Sequence, residues 1–490
     1  MELPERISDS KPGQDHRIPS GFTRGSARGY ITLFLVFSLS GMLFVVLPTL
    51  TAYRFSLLLI FAIISMLDRI GGLYCVMLVP SAGVALSLID PKADFPFDIL
   101  AFGLWIASMF LHGKGSFRNL RLTLLDKLVF LYSLFGLIYV LVSPSLKLGY
   151  QGYKYDYRAF LTYALLRISG SNWNDFWKLS KFLLITMLFF FSDGVYRYFF
   201  DYESTLKFFL DRASDPLAVT SYKGYFGMTV GSVPRMTSIF MFATGFGPTL
   251  AVGILFIIGF RTRMLKKIGI VGWSAVLAAF TVGVILSYSR SAWIGLFIGL
   301  ITMALLSPKG VSKPVTAVLS ILFALVGVFA LLPQQISQFV VRRFFQLGTG
   351  DVGPGGHFYF LLLSVSDLIQ HPLGKGLGVG FAKEVRKISG TVWNESTYLK
   401  VGQEMGVPMM VLFIVVLIAM VFCMKNVHDF ASDPMIRSFL RIAIAASVVN
   451  IAINVTLPIW EQPITYLMVF SAAFACNILP ATVNRSFQNR

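Results

Sequence analysis

Apolar positions in this chain fall in long unbroken runs, with neither the alternation of a half-buried strand nor the narrow stripe of a surface helix. Runs of about 16–25 residues recur, each long enough to cross ~30 Å of hydrocarbon as a helix. They predict spans at 30–48, 52–67, 71–89, 97–112, 126–143, 155–169, 178–200, 236–260, 268–286, 290–306, 314–332, 406–424, 437–456 and 461–479. The expected fold is therefore an all-α polytopic membrane protein of about fourteen transmembrane helices. Polar stretches divide the chain further. Residues 1–28 read as a disordered tail and 29–332 as the first part of the bundle, with a connection at 201–235. Residues 333–405 read as one large loop, 406–480 as the C-terminal helices and 481–490 as a second tail.

Composition agrees with the pattern. Of 490 residues, 56% are hydrophobic and 13% charged, and the mean hydropathy is +0.71. These values exclude a soluble enzyme with a single core. The net charge of +18 follows from topology and does not point to nucleic acid. With both termini in the cytoplasm, Arg24, Arg28, Arg69, Arg118, Arg121, Arg261, Arg263, Lys266, Lys267, Lys309, Lys313, Lys425 and Arg437 all fall inside. The short span 155–169 is kept on this ground. Without it, the basic segment "GKGSFRNLRLTLLDK" would lie outside or every later span would invert. Excess basic charge also attracts anionic membrane lipids.

Cys75, Cys423 and Cys476 lie in or beside apolar spans, without metal-site spacing and too few for a disulfide framework. They read as small core residues. The connections 201–235 and 333–405 are too long to be simple turns, and the charge pattern places both on the outer face.

Arginines mark that outer face. Arg158 lies in "YKYDYRAFLTYALL", Arg235 in "GSVPRMTSIF", and Arg290 in "GVILSYSRSAWIGLFIGL" between two apolar runs. The long loop adds Arg342, Arg343 and His357. A guanidinium at membrane depth is costly unless water, a partner or a ligand meets it. Its fork of donors matches phosphate oxygens, so an anionic ligand suits the arrangement. No Asp-x-Asp, His-x-x-x-His or cysteine cluster stands near to hold a divalent metal, and no cofactor is implied. Each arginine taken alone reads equally as a helix-end topology residue. Asp193 and Arg197, spaced i to i+4, predict a pair on one helix.

Three blocks in order, "SYSRSAWIGLFIGL", "HPLGKGLGVGF" and "ESTYLKVGQEMGVPMMVLFI", resemble the signature segments of the O-antigen ligase/polymerase superfamily, and "RMTSIF" resembles its upstream arginine block. The resemblance spans about residues 155–425. It implies a GT-C-like, metal-independent, inverting membrane glycosyltransferase acting at the periplasmic side of the bacterial inner membrane on glycans carried by undecaprenyl diphosphate. Members polymerise repeat units or ligate the finished glycan to lipid A core or protein. A flippase and a chain-length regulator are the partners implied for a polymerase.

Carried over, Arg235 and Arg290 would hold the diphosphate and Arg158 would join them. Tyr398, His357, Gly376, Gly378 and Glu404 would line the substrate site. Two departures stand out. Glu395 occupies the position of the family's histidine in "ESTYL", and "GGHFYF" with His357 stands where an arginine–aromatic pair is usual. Glu395 reads either as the general base or as a helix cap. The loop "GKGLGVG" reads as a hinge or as a backbone nest for an anion. A polymerase is favoured over a ligase because of Glu395, and a transporter of a lipid-linked or anionic solute is the reading from another class.

Overall fold

A computed structural model describes residues 122–168, 173–203, 229–230, 233–237, 243–307, 357–379, 396–455 and 463–488, together with position 63. The expected spans 30–48, 71–89, 97–112 and 314–332, the span 52–67 apart from position 63, the first tail, and Cys75, Arg342, Arg343 and Glu395 lie outside these residues. The helices are α1 Leu124–Val142, α2 Leu146–Ile168, α3 Trp173–Phe200, α4 Ala243–Gly259, α5 Arg261–Leu286, α6 Arg290–Leu305, α7 His357–Gln370, α8 Thr397–Phe430, α9 Pro434–Ile453 and α10 Pro463–Gln488. Between α3 and α4, the two-residue strands β1 Thr229–Val230 and β2 Val233–Pro234 pair antiparallel.

Among the described residues, five helices are long and apolar enough to cross a membrane: α1, α3 from Trp177, α5, α8 and α9. Helices α4, α6 and α10 carry shorter apolar stretches. Segment 155–169, kept on charge alone, is helical and begins earlier, at Leu146. Part of the expected 333–405 loop is also helical, since α7 lies within it and α8 starts at Thr397.

Up-and-down packing follows from ties at both ends. At the first, Thr123 and Asp126 form a capping box on α1, which satisfies orphan N–H groups of the helix start. Arg167 of α2 grips both oxygens of Asp126 at 2.8 Å, so the beginning of α1 meets the end of α2. At the same end, Trp177 of α3 packs edge-on to Phe260 after α4. Trp273 of α5 donates to the Ile257 carbonyl at 3.1 Å. At the opposite end, Thr397 N–H donates to Asn454 O at 3.0 Å, joining the start of α8 to the end of α9. Asn454 in turn donates to Asn450, which donates to Thr465 of α10 at 3.3 Å. Those amides are buried and satisfied by one another, as low-dielectric surroundings require.

Helix α10 is buried on every side from Ile464 to Cys476; a helix apolar all round belongs at the centre of a bundle. Helix α6 lies tight against α9 because "GLFIG" places Gly295 and Gly299 one turn apart. A methyl at Gly295 would stand 2.7 Å from Ile453. Small residues at this spacing let membrane helices approach closely.

Helix α8 is broken, which the apolar pattern did not predict. Gly406 sits at φ 82°, ψ 171°, and Pro408 has no N–H to give to the Glu404 carbonyl. Val407 N–H turns away to Pro372 O at 2.8 Å, freeing the Gln403 carbonyl as well. Both orphaned carbonyls are met by one loop, with Lys375 N–H on Gln403 O and Gly376 N–H on Glu404 O, each at 2.9 Å. The segment 371–378 thus replaces the missing turn of α8, as buried irregular backbone must be re-satisfied.

Candidate functional site

The Arg290 end of the bundle holds two groups of charged side chains. The first surrounds the turn from α5 to α6. Ser287 N–H bonds Gly283 O and Tyr288 N–H bonds Ile285 O, both at 3.0 Å. Tyr288, buried, takes φ 48°, a conformation that costs a non-glycine residue roughly 1–2 kcal/mol. Trp293 of the "SRSAW" block donates to Val284 O at 3.0 Å and staples the first turn of α6 back onto α5.

The segment after β2 docks on this turn: Met236 N–H donates to Leu286 O and Arg235 Nε to Ser287 O, each at 2.8 Å. Arg235 is buried and Arg290 half-buried. Two arginines distant in sequence thus flank one three-residue turn. Arg290 is the first residue of α6, where the helix dipole disfavours a cation. Ser289, the N-cap, makes no capping bond with its side chain, and its hydroxyl meets that of Ser291 at 3.0 Å. A guanidinium thus stands at the N-terminus of α6, the end of a helix that favours anions. Tyrosines complete the wall. Tyr198 lies beside Tyr288, and burial followed by the neighbouring Tyr198 pushes the Tyr202 phenol up to about 12, Arg235 opposing. Tyr202 is therefore a neutral hydrogen-bond donor at pH 7.

The second group lies between α2 and α8. Asp156, 6% exposed, pairs with Lys400 at 2.6 Å. Glu404, fully buried, follows Lys400 by one turn, and Arg158, 5% exposed, follows Asp156 by two residues. Tyr153 and Tyr157 stack with centroids 4.5 Å apart, and Tyr157 stacks in turn on Tyr132 at 4.9 Å. Arg158 is thus buried on α2 beside Asp156 in sequence, although helix positions two apart point to different faces.

Gly376 and Gly378 both have positive φ and press against the backbone of Ser143 and Leu148. The "GKGLG" loop is a packing wedge with its N–H groups at Lys375 and Gly376 committed to α8. Tyr398 gives its hydroxyl to Ile451 O at 2.7 Å, bracing α8 against α9. His357 opens α7, its side chain outside the described residues. Ser396, not Glu395, is the N-cap of α8, its hydroxyl accepting from Leu399 N–H. The expected pair Asp193–Arg197 forms at 2.9 Å. Among the described residues no group of three His, Cys, Asp or Glu is placed to hold a metal ion.

Sequence reasoning passed over Asp156, Lys400 and the tie from Asp367 to Lys375 at 2.6 Å. The available signal was electrostatic: a lone carboxylate in an aromatic, apolar segment demands a cation from another helix. Fold and contacts together define a helical membrane protein with buried ion pairs toward both ends of its described bundle. No protein-family model matches the chain, and no curated protein matches it.

Proposed function

We propose that the chain is a polysaccharide polymerase, joining oligosaccharide repeat units carried on undecaprenyl diphosphate at the outer face of the cytoplasmic membrane. One observation carries the reading: Arg235 and Arg290, from the two blocks that resemble the family's arginine segments, lie on the same turn, at an N-terminus disposed toward anions. They would hold the donor diphosphate and stabilise its charge as it leaves, which is the largest contribution a preorganised site makes. An acceptor hydroxyl attacks the donor's anomeric carbon, its proton passes to Glu395, and the carbon–oxygen bond to phosphate breaks with inversion. Ser396 is the residue that caps α8. Arg158 would join Arg235 and Arg290 on the diphosphate, and Asp156 and Lys400 would serve the acceptor side.

A second reading is favoured by the break in α8, since discontinuous helices and buried ion pairs are hallmarks of transporters. Against it, both carbonyls freed at the break are filled by the 371–378 backbone. Ligation of a finished glycan to lipid A core or protein is the closest enzymatic alternative. Glycan length on the lipid carrier separates the three. A polymerase produces a ladder of repeats, a ligase moves a preformed chain to a new acceptor, and a transporter changes neither.

A further inference from the structure

At the end of the bundle opposite Arg290, two helices bring a pair of thiols together. Cys423 of α8 and Cys476 of α10 are both buried, with their sulfurs 2.7 Å apart. The two free thiols are thus direct neighbours across the α8–α10 interface. The neighbourhood is polar, unlike the surroundings of cysteines that merely fill a core. Tyr163 and Thr123 place their hydroxyls 3.6 and 3.7 Å from Cys476, and each hydroxyl is also 2.8 Å from Asp126. Arg167 holds that carboxylate from its other side.

We propose that Cys423 and Cys476 are a reversible dithiol–disulfide pair that ties α8 to α10 when peroxide reaches the membrane. Cys476 loses its proton along the Tyr163–Asp126 contact and its sulfur attacks the peroxide oxygen, forming a sulfenic acid and releasing water. The Cys423 sulfur then displaces the second oxygen as water while its own proton leaves. The balance is two thiols and one hydrogen peroxide giving one disulfide and two waters, and a dithiol reductant reverses it. No catalytic or substrate-binding role proposed for the Arg290 end enters this inference.

The test uses the full chain in its membrane. One sample is treated with hydrogen peroxide and one with dithiothreitol; both are denatured, alkylated with a maleimide and weighed intact. The reduced protein should take three labels, one for each cysteine in the sequence. The oxidised protein should take one, on Cys75, with a proteolytic map linking 423 to 476, and dithiothreitol should restore all three. In Cys423→Ser, peroxide should leave Cys476 without a crosslink and trappable as sulfenic acid. Three labels on peroxide-treated wild type would overturn the proposal. So would a link to Cys75, or oxidation of single sulfurs to sulfinic acid without a bridge. Should Cys423→Ser fail to accumulate, the wild-type label count and map decide alone.

Discussion

Replacing Gly406 by alanine tests the broken helix at its tightest point, and Gly269 supplies the control. Both glycines have positive φ inside a helix, 82° and 67°. Around Gly269 a new methyl meets nothing within 4 Å, whereas at Gly406 it would stand 2.5 Å from Pro372 O and 2.6 Å from the Leu373 carbonyl carbon. Gly269, at φ 67° and ψ 179°, therefore carries on substitution by alanine only the backbone penalty of a region essentially confined to glycine, about 1–3 kcal/mol. Gly406→Ala carries the same penalty and drives the 371–378 segment off α8. That movement loosens the bonds from Val407, Lys375 and Gly376, which span 2.8–2.9 Å. At about 1 kcal/mol net for each of the three bonds, Gly406→Ala should lose ~3 kcal/mol more than Gly269→Ala. Reversible unfolding in mixed micelles, titrated with a denaturing detergent and followed by tryptophan fluorescence, measures both variants against wild type. Equal losses in the two would refute the idea that the loop completes α8.

The remaining predictions concern charge. Arg290→Lys should lose about a hundredfold in polymerising rate, nearly as much as Arg290→Ala, because a point charge lacks the guanidinium fork; membrane abundance should hold, and full activity in the lysine variant would reduce Arg290 to a helix-end residue. Glu395→Gln should insert normally, bind donor and lose roughly 10²–10⁴ in rate, whereas Glu395→His should recover a measurable fraction at neutral pH; near-normal polymer from the glutamine variant would move the base elsewhere. Lys400→Met strands a buried carboxylate at a cost of about 3–5 kcal/mol, and adding Asp156→Asn should return most of that stability, so simple additivity of the two changes would argue against the pair.

Length and hydropathy made the helices legible, because a bilayer forces the chain to announce its spans as continuous apolar runs. Helix ends were less visible. The chain enters α8 nine residues before the expected span at 406, through "TYLKVGQEM", whose polar side chains are buried against other helices and conceal the helix from a hydropathy average. The same averaging understates α2, whose Asp156 and Arg167 are paid for by partners on α8 and α1. Arg235 and Arg290 were recognisable singly, but their shared turn depends on a backbone bond that joins Met236 to Leu286, far along the chain. The glycine loop admitted a hinge or an anion nest from sequence, and what the sequence did not show is that its Lys375 and Gly376 N–H groups fill the carbonyls that Val407 and Pro408 leave on α8.

The central claim is that a diphosphate-linked glycan is extended at the turn carrying Arg235 and Arg290. The most direct measurement reconstitutes the full chain in liposomes with undecaprenyl-diphosphate-linked repeat units and follows chain length on the lipid carrier by mass, with chelator in excess. The account predicts a ladder of repeats that forms without added metal and collapses to single units in Arg290→Lys. Single units throughout in the wild type, a ladder that requires magnesium or manganese, or an undiminished ladder in the lysine variant would contradict it.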